Sequence, residues 1–156
     1  MDPKQLLETW EIHNRINLYL VDAIDKSSLT DAPTDSKGRT VGEQLAHLHN
    51  VRLMWLKASA PVLLDGLEKI EKKAAADKIL LKQSLERSAK AISKLLVNST
   101  ADGGKVKGFK PHVGAFLGYM ISHESHHRGQ IMLALKQSGH SVDKKIQYGM
   151  WEWGSR

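Results

Sequence analysis

The 156-residue chain has no cysteine and only four prolines. Without thiols it can make neither a disulfide nor a thiolate site, so any transition metal it holds must bind through nitrogen and oxygen. Scarce proline leaves long stretches free of helix breakers. Also missing is any apolar run near the ~18 residues expected of a membrane span. Met1-Asp2-Pro3-Lys4-Gln5 carries neither the basic segment nor the apolar stretch of a secretory signal. These absences set a soluble cytoplasmic protein, with no membrane partner, as the expectation. No repeat, low-complexity tract or linker composition divides the sequence, and its length suits residues 1–156 folding as one domain around one core.

Charge is modestly unbalanced, with 23 Lys and Arg against 17 Asp and Glu for a net +6. An excess of that sign can attract polyanions. The lysines are scattered, however, with small groups at Lys69/Lys72/Lys73, Lys105/Lys107/Lys110 and Lys144/Lys145, and no nucleic-acid recognition motif accompanies them. They read as a solvated surface, and nucleic acid is not an expected partner.

What is present is helical periodicity, and it predicts an all-α fold. A first helix is expected from Pro3 to Asp25, with Leu6, Trp10, His13, Ile16, Asn17, Leu20 and Ile24 along one stripe. His13 reads as a hydrogen-bonded histidine on or beside that stripe. Lys26 to Arg39 has turn composition and is long for a connection between adjacent helices, so it is expected to cross a bundle end or border a pocket. Thr40-Val41-Gly42-Glu43 fits a capping box opening a second helix, through Leu45, Leu48, Val51, Arg52, Trp55 and Leu56 to about Pro61. Leu63, Leu64, Leu67 and Ile70 suggest a short helical turn, and Asp77 can cap a third helix carrying Ile79, Leu80, Leu81, Leu85, Ala89, Ile92, Leu95 and Leu96. Asn98 to Lys110, glycine-rich, is expected to be an exposed loop. A fourth helix should run from Pro111 to Ser138 and stop at Gly139. Two tryptophans in the remaining tail, Trp151 and Trp153, suggest that it docks, either closing the bundle or meeting a partner subunit.

The fourth helix holds the densest chemistry: His123-Glu124-Ser125-His126-His127-Arg128-Gly129-Gln130-Ile131. His123 and His127 stand at i and i+4, which stacks two side chains on one helix face. Two imidazoles so placed can share a cation, and burying both without partners would be costly. The same letters fit H-E-x-x-H, whose glutamate acts as a base in zinc proteases. On that reading Glu124 is the base and the third ligand comes from downstream, where His140 is the sole histidine. A small helical bundle offers no edge strand to hold a peptide, which weighs against it. The second helix offers His47 and His49, whose i,i+2 spacing sends them to different sides. A helical wheel puts His49 somewhat nearer the apolar stripe.

Thr40-Val41-Gly42-Glu43-Gln44-Leu45-Ala46-His47, together with the H-x-x-H-H-R-G-Q segment beginning at His123, resembles the DinB superfamily. The resemblance covers nearly the whole chain, including the tryptophan-bearing tail. It implies a four-helix bundle with a short C-terminal helical tail and a divalent metal on three histidines. Position by position, those ligands fall on His47, His123 and His127, against the wheel's preference for His49. Glu124 is left as an auxiliary group that orients a ligand or acts as a base, His126 as a surface or outer residue, and Arg128 as a structural ion-pair partner.

Three imidazoles with vacant positions suit zinc, nickel or ferrous iron. The resemblance further implies a metal-dependent enzyme such as a transferase using a low-molecular-weight thiol, acting on a small-molecule substrate as a homodimer. The alternative it leaves is a non-catalytic, damage-inducible metal-binding protein.

Overall fold

A computed structural model describes residues 2–34 and 37–156. Asp35 and Ser36, which contribute to the expected turn composition before the second helix, lie outside the described residues, as does Met1. Four long helices form the bundle: α1 (Pro3–Ala23), α2 (Val41–Ser59), α3 (Lys78–Ala101) and α4 (Val113–Gln137), followed by the short α5 (Lys144–Gly149). Single 3₁₀ turns punctuate the connections at Lys26–Thr30, Pro61–Leu64, Lys72–Ala74 and Trp153–Ser155. The all-α bundle with a short C-terminal helix is the architecture expected.

The helix starts follow from their capping chemistry. Thr40 accepts from the Glu43 amide at 3.2 Å while Glu43 returns a bond to the Thr40 amide at 2.9 Å, closing the capping box. Asp77 caps α3 through the Leu80 amide, and Asp2 caps α1 through the Lys4 amide, with Pro3 in the first turn. At the far end of α4, Gly139 adopts φ 78° and the His140 amide reaches back to the Leu135 carbonyl, ending the helix where glycine was expected to end it.

Three boundaries differ from expectation. α1 stops at Ala23, α4 starts at Val113 with the His112 ring accepting from the Ala115 amide, and α3 continues through Asn98 to Ala101. The connection after α3 is not simply exposed either. Val106 is buried, and Phe109 packs against Trp55, Phe116 and Tyr119. Apolar side chains within a glycine-rich loop pin it to the bundle. The tail docks through Val142, Ile146 and Met150 and through Arg156, which lies over the Tyr19 ring. Trp151, by contrast, faces outward at 80% exposure.

The apolar core comes in two parts. One joins Leu20, Val21 and Ile24 to Val41, Leu45, Leu48, Leu81, Leu85, Ile131, Ala134 and Leu135. The other joins Leu6 and Trp10 to Leu56, Ile92, Leu95, Leu96, Phe116 and Met120. Between them along the helices lie buried polar groups from all four: His13, Asn14 and Asn17 on α1, His49 and Arg52 on α2, Ser88 on α3, and Glu124 and His127 on α4. This polar layer is where the candidate site lies.

The segment before α3 packs tightly on the first turn of α2. A Cβ at Gly42 would stand 1.9 Å from the Ala75 carbonyl oxygen, a backbone atom that cannot swing aside. Gly42→Ala is therefore expected to destabilise the protein by about 1–3 kcal/mol, as overpacking does. That cost is set against a helix-propensity gain of at most about 1 kcal/mol. A lower urea midpoint would show it; an unchanged or higher midpoint would mean that the contact yields easily.

Candidate metal centre

α2 and α4 lie side by side and antiparallel, so that Gln44 meets His127, His47 meets His123 and His127, and Trp55 meets Tyr119 and Phe116. The i,i+4 spacing puts His123 and His127 on the α4 face turned to α2, with ring centroids 4.6 Å apart. The His47 centroid is 4.6 Å from that of His127 and 5.3 Å from that of His123. One ring nitrogen from each lies within 4.8 Å of the others, and the group could hold a metal ion.

The surroundings keep these rings in the form that binds metal. Burial lowers the pKa of His47 to about 4, helped by the charges of Arg39 and His123. Burial likewise lowers His127 to about 4, with His123 and His47 adding to the effect, and shifts His123 in the same direction. All three are neutral at pH 7 and offer lone pairs. The Gln44 side-chain oxygen, 2.6 Å from His127 Nδ1, can only accept, so Nδ1 carries the proton and Nε2 is left with the lone pair. His123 Nδ1 is buried and has no hydrogen-bond partner among the described residues. An all-imidazole donor set, one ring already oriented and another with an unsatisfied nitrogen, fits a divalent ion.

The other histidines are engaged elsewhere. His49 Nδ1 lies 3.0 Å from the Ser84 carbonyl and Nε2 lies 2.8 Å from the Glu68 carbonyl, so the ring ties α2 to α3 and to the preceding segment. The wheel's preference for His49 was right about burial and did not reveal this second set of partners. His140 pairs with Asp31 at 2.7 Å and stands outside the three-histidine group that the protease reading would have it complete. His126 is exposed, its ring edge-on to His127.

Glu124, one residue from His123, faces the bundle interior and is fully buried. Arg52 grips it with two bonds, Nε to Oε1 at 2.7 Å and Nη2 to Oε2 at 2.8 Å. His13 Nε2 (2.8 Å) and Asn17 Nδ2 (2.7 Å) donate to Oε2 as well. Burial opposes ionisation, but the Arg52 charge and the bonds from Arg52 and His13 outweigh it and hold the carboxyl well below the usual carboxylate range. Arg52 continues through Nη1 to Asn14 on α1 and to the Leu85 carbonyl and Ser88 on α3. Its guanidinium also lies over Trp10. Arg128, expected in an ion pair, instead donates to Asn17 Oδ1 (2.6 Å), Ser125 Oγ (2.8 Å) and His13 Nδ1 (3.3 Å).

A pH dependence follows. Burial lowers the pKa of His13, as it does those of His47, His123 and His127. As pH falls below the ordinary histidine value near 6.5, the unfolded chain takes up protons that the folded chain refuses. Stability of the metal-free protein should therefore decline from pH 7.5 towards pH 5, before the carboxylates titrate. Urea midpoints across that range would measure it; a flat or rising stability towards pH 5 would contradict neutral buried rings.

Sequence reasoning missed two contributors, Gln44, which orients His127, and Arg52, which holds Glu124; the Arg39 charge adds to the lowering of the His47 pKa, after burial. A lone arginine inside the apolar stripe of α2 and a lone glutamate inside that of α4 were the available signal.

His47 also borders a cleft of about 470 Å³ between α2, the segment 69–75 and residues 37–39. The connection before α2 thus borders a pocket, one of the two roles expected of it. No curated protein and no solved structure matches the chain. The family model that does match is described as the DinB family and spans residues 1–148, taking in all four bundle helices and both histidine-bearing segments. By that match the chain belongs to the DinB family.

Proposed function

We propose that His47, His123 and His127 hold one divalent ion, either zinc, nickel or ferrous iron, and that the protein is a metal-dependent enzyme of the S-transferase type. The observation that supports catalysis over a closed structural site is the position of His47. Its ring belongs to the three-histidine group and also borders the 470 Å³ cleft, a volume suited to a small molecule. A divalent ion there would act as a Lewis acid, favouring the thiolate of a low-molecular-weight thiol. In the transfer, the thiol's proton would pass to water, the sulfur lone pair would form a carbon–sulfur bond at the electrophile, and the bond to the electrophile's leaving group would break, the group departing with that electron pair.

The chain's own residues prepare for that chemistry. Burial keeps the three imidazoles neutral, and Gln44 fixes the His127 tautomer. Glu124 serves this reading as a positioning residue. Its oxygens are committed to Arg52, His13 and Asn17, and a carboxylate held so far below its usual pKa is a poor base.

The test is a panel of small thiols and alkylating electrophiles, assayed on metal-loaded protein with and without chelator. Turnover that appears with metal and vanishes with chelator is expected. Stoichiometric metal without turnover across the panel would favour a non-catalytic metal-binding protein instead.

A further inference from the structure

The cleft beside His47 has a charge pattern that the metal does not require. Its lining includes four cations, Lys37, Arg39, Lys69 and Lys72, against two carboxylates, Glu43 and Glu71. Both carboxylates are engaged, Glu43 with Lys72 at 3.1 Å and Glu71 with Lys69 at 3.5 Å. Glu43 also accepts from the Thr40 amide in the helix cap. Lys37 and Arg39 form no ion pair among the described residues. The cleft thus carries two more cations than carboxylates, with Lys37 and Arg39, whose charge also acts on Glu43, on the segment leading into α2 and His47 in the same lining.

We propose that this cleft receives the anionic end of a small organic substrate, a carboxylate or phosphate group, with Arg39 and Lys37 as the residues that bind it. The inference rests on the metal-dependent reading above, which supplies the place where the other end of such a molecule reacts. Two like charges facing a concave space repel each other and the nearby metal site, and an anion relieves that repulsion. Arg39 is suited to the task because its planar fork can meet a carboxylate or phosphate with two parallel bonds. His47 lines the same cleft as Arg39, so an anion bound there lies beside the three-histidine group. The volume, about 470 Å³, suits a small molecule and excludes a folded partner.

The experiment uses the full chain loaded with cobalt(II), whose visible spectrum changes when a thiol sulfur binds. Two probes are titrated: mercaptosuccinate, which carries two carboxylates, and 2-mercaptoethanol, whose tail is neutral. Mercaptosuccinate is expected to bind more tightly. Arg39→Gln should weaken mercaptosuccinate by about tenfold, the size of one charge-assisted contact. It should leave cobalt stoichiometry and 2-mercaptoethanol affinity within about twofold of wild type, since Arg39 is exposed and supplies no ligand atom to the three-histidine group. Arg39→Lys should restore most of the loss, and Lys144→Gln, far along the chain on α5, should have no effect. An Arg39→Gln protein that keeps the wild-type ratio of the two affinities overturns the anion site. So does one that loses both probes equally. A wild-type protein that takes up no cobalt defeats the metal reading instead. The anion site is then judged on metal-free protein by titrating mercaptosuccinate against the Asn50 side-chain amide resonance, where no Arg39-dependent shift overturns it.

Discussion

His127→Ala and His47→Ala are each expected to hold a divalent metal at least about a hundredfold more weakly than wild type, whereas His49→Ala keeps it. The size follows from a comparison. Loss of a group that merely orients a metal-binding histidine costs about 10–100-fold in affinity, and removing the histidine itself should cost more. Gln44→Ala is the internal control for that scale. It leaves all three rings present but frees the His127 Nδ1–H from its 2.6 Å partner, so its loss should fall within that smaller range. Metal content after dialysis against a graded chelator series would rank the four variants. His49→Ala should be less stable, since its ring meets the Ser84 and Glu68 carbonyls, and yet remain metal-replete. Retained stoichiometric metal in His127→Ala would sink the centre as drawn. Loss in His49→Ala with retention in His47→Ala would move the third ligand along α2.

The second large effect lies in the polar layer. Arg52→Met leaves the Glu124 carboxylate fully buried with only His13 and Asn17 as donors, and breaking a buried pair from one side costs about 3–5 kcal/mol. Glu124→Leu strands the guanidinium in the same way and should cost a similar amount. The double replacement, Arg52→Met with Glu124→Leu, should be markedly less harmful than the sum of the two. Removing both charges abolishes the desolvation penalty along with the attraction. Urea unfolding of the four proteins forms the cycle. Additive losses would mean that Arg52 and Glu124 act independently, contrary to their two short bonds.

Much of the fold was legible because it rests on local rules. The Thr40–Glu43 box, the Asp77 cap and the Gly139 stop lie where the chain must satisfy free amides or turn left-handed. Val113, Phe116, Leu117, Met120, Ile131, Ala134 and Leu135 of α4 are core for the same reason, their spacing being that of one helix face. The pairing of His123 with His127 needed only the helical repeat. The choice of partner on α2 needed more. A wheel assumes that the buried face is apolar, but α2 buries Gln44, His49 and Arg52 along with its leucines. Its polar residues therefore could not be sorted into inside and outside by hydrophobicity. Where a polar side chain points depends on the helix packed opposite, and that is a tertiary fact. The anchored loop after α3 escaped for a related reason: glycines at 103, 104 and 108 advertise a turn, while Val106 and Phe109 find their partners on α2 and α4.

The layer that divides the core also acts as an axial gauge. Leucines and alanines would tolerate a helix sliding along its neighbours, because one apolar turn resembles the next. A slide of one turn, roughly 5.4 Å, would instead carry Arg52 away from Glu124 and leave each charge facing hydrocarbon. Every long helix contributes to this gauge, α1 through His13, Asn14 and Asn17 and α3 through the Leu85 carbonyl and Ser88. Since Glu124 adjoins His123 and Arg52 lies on the same helix as His47, the bonds that align the ion pair also align the imidazoles across the seam. The spacing of the three rings is thus decided inside the bundle, by groups outside the three-histidine cluster.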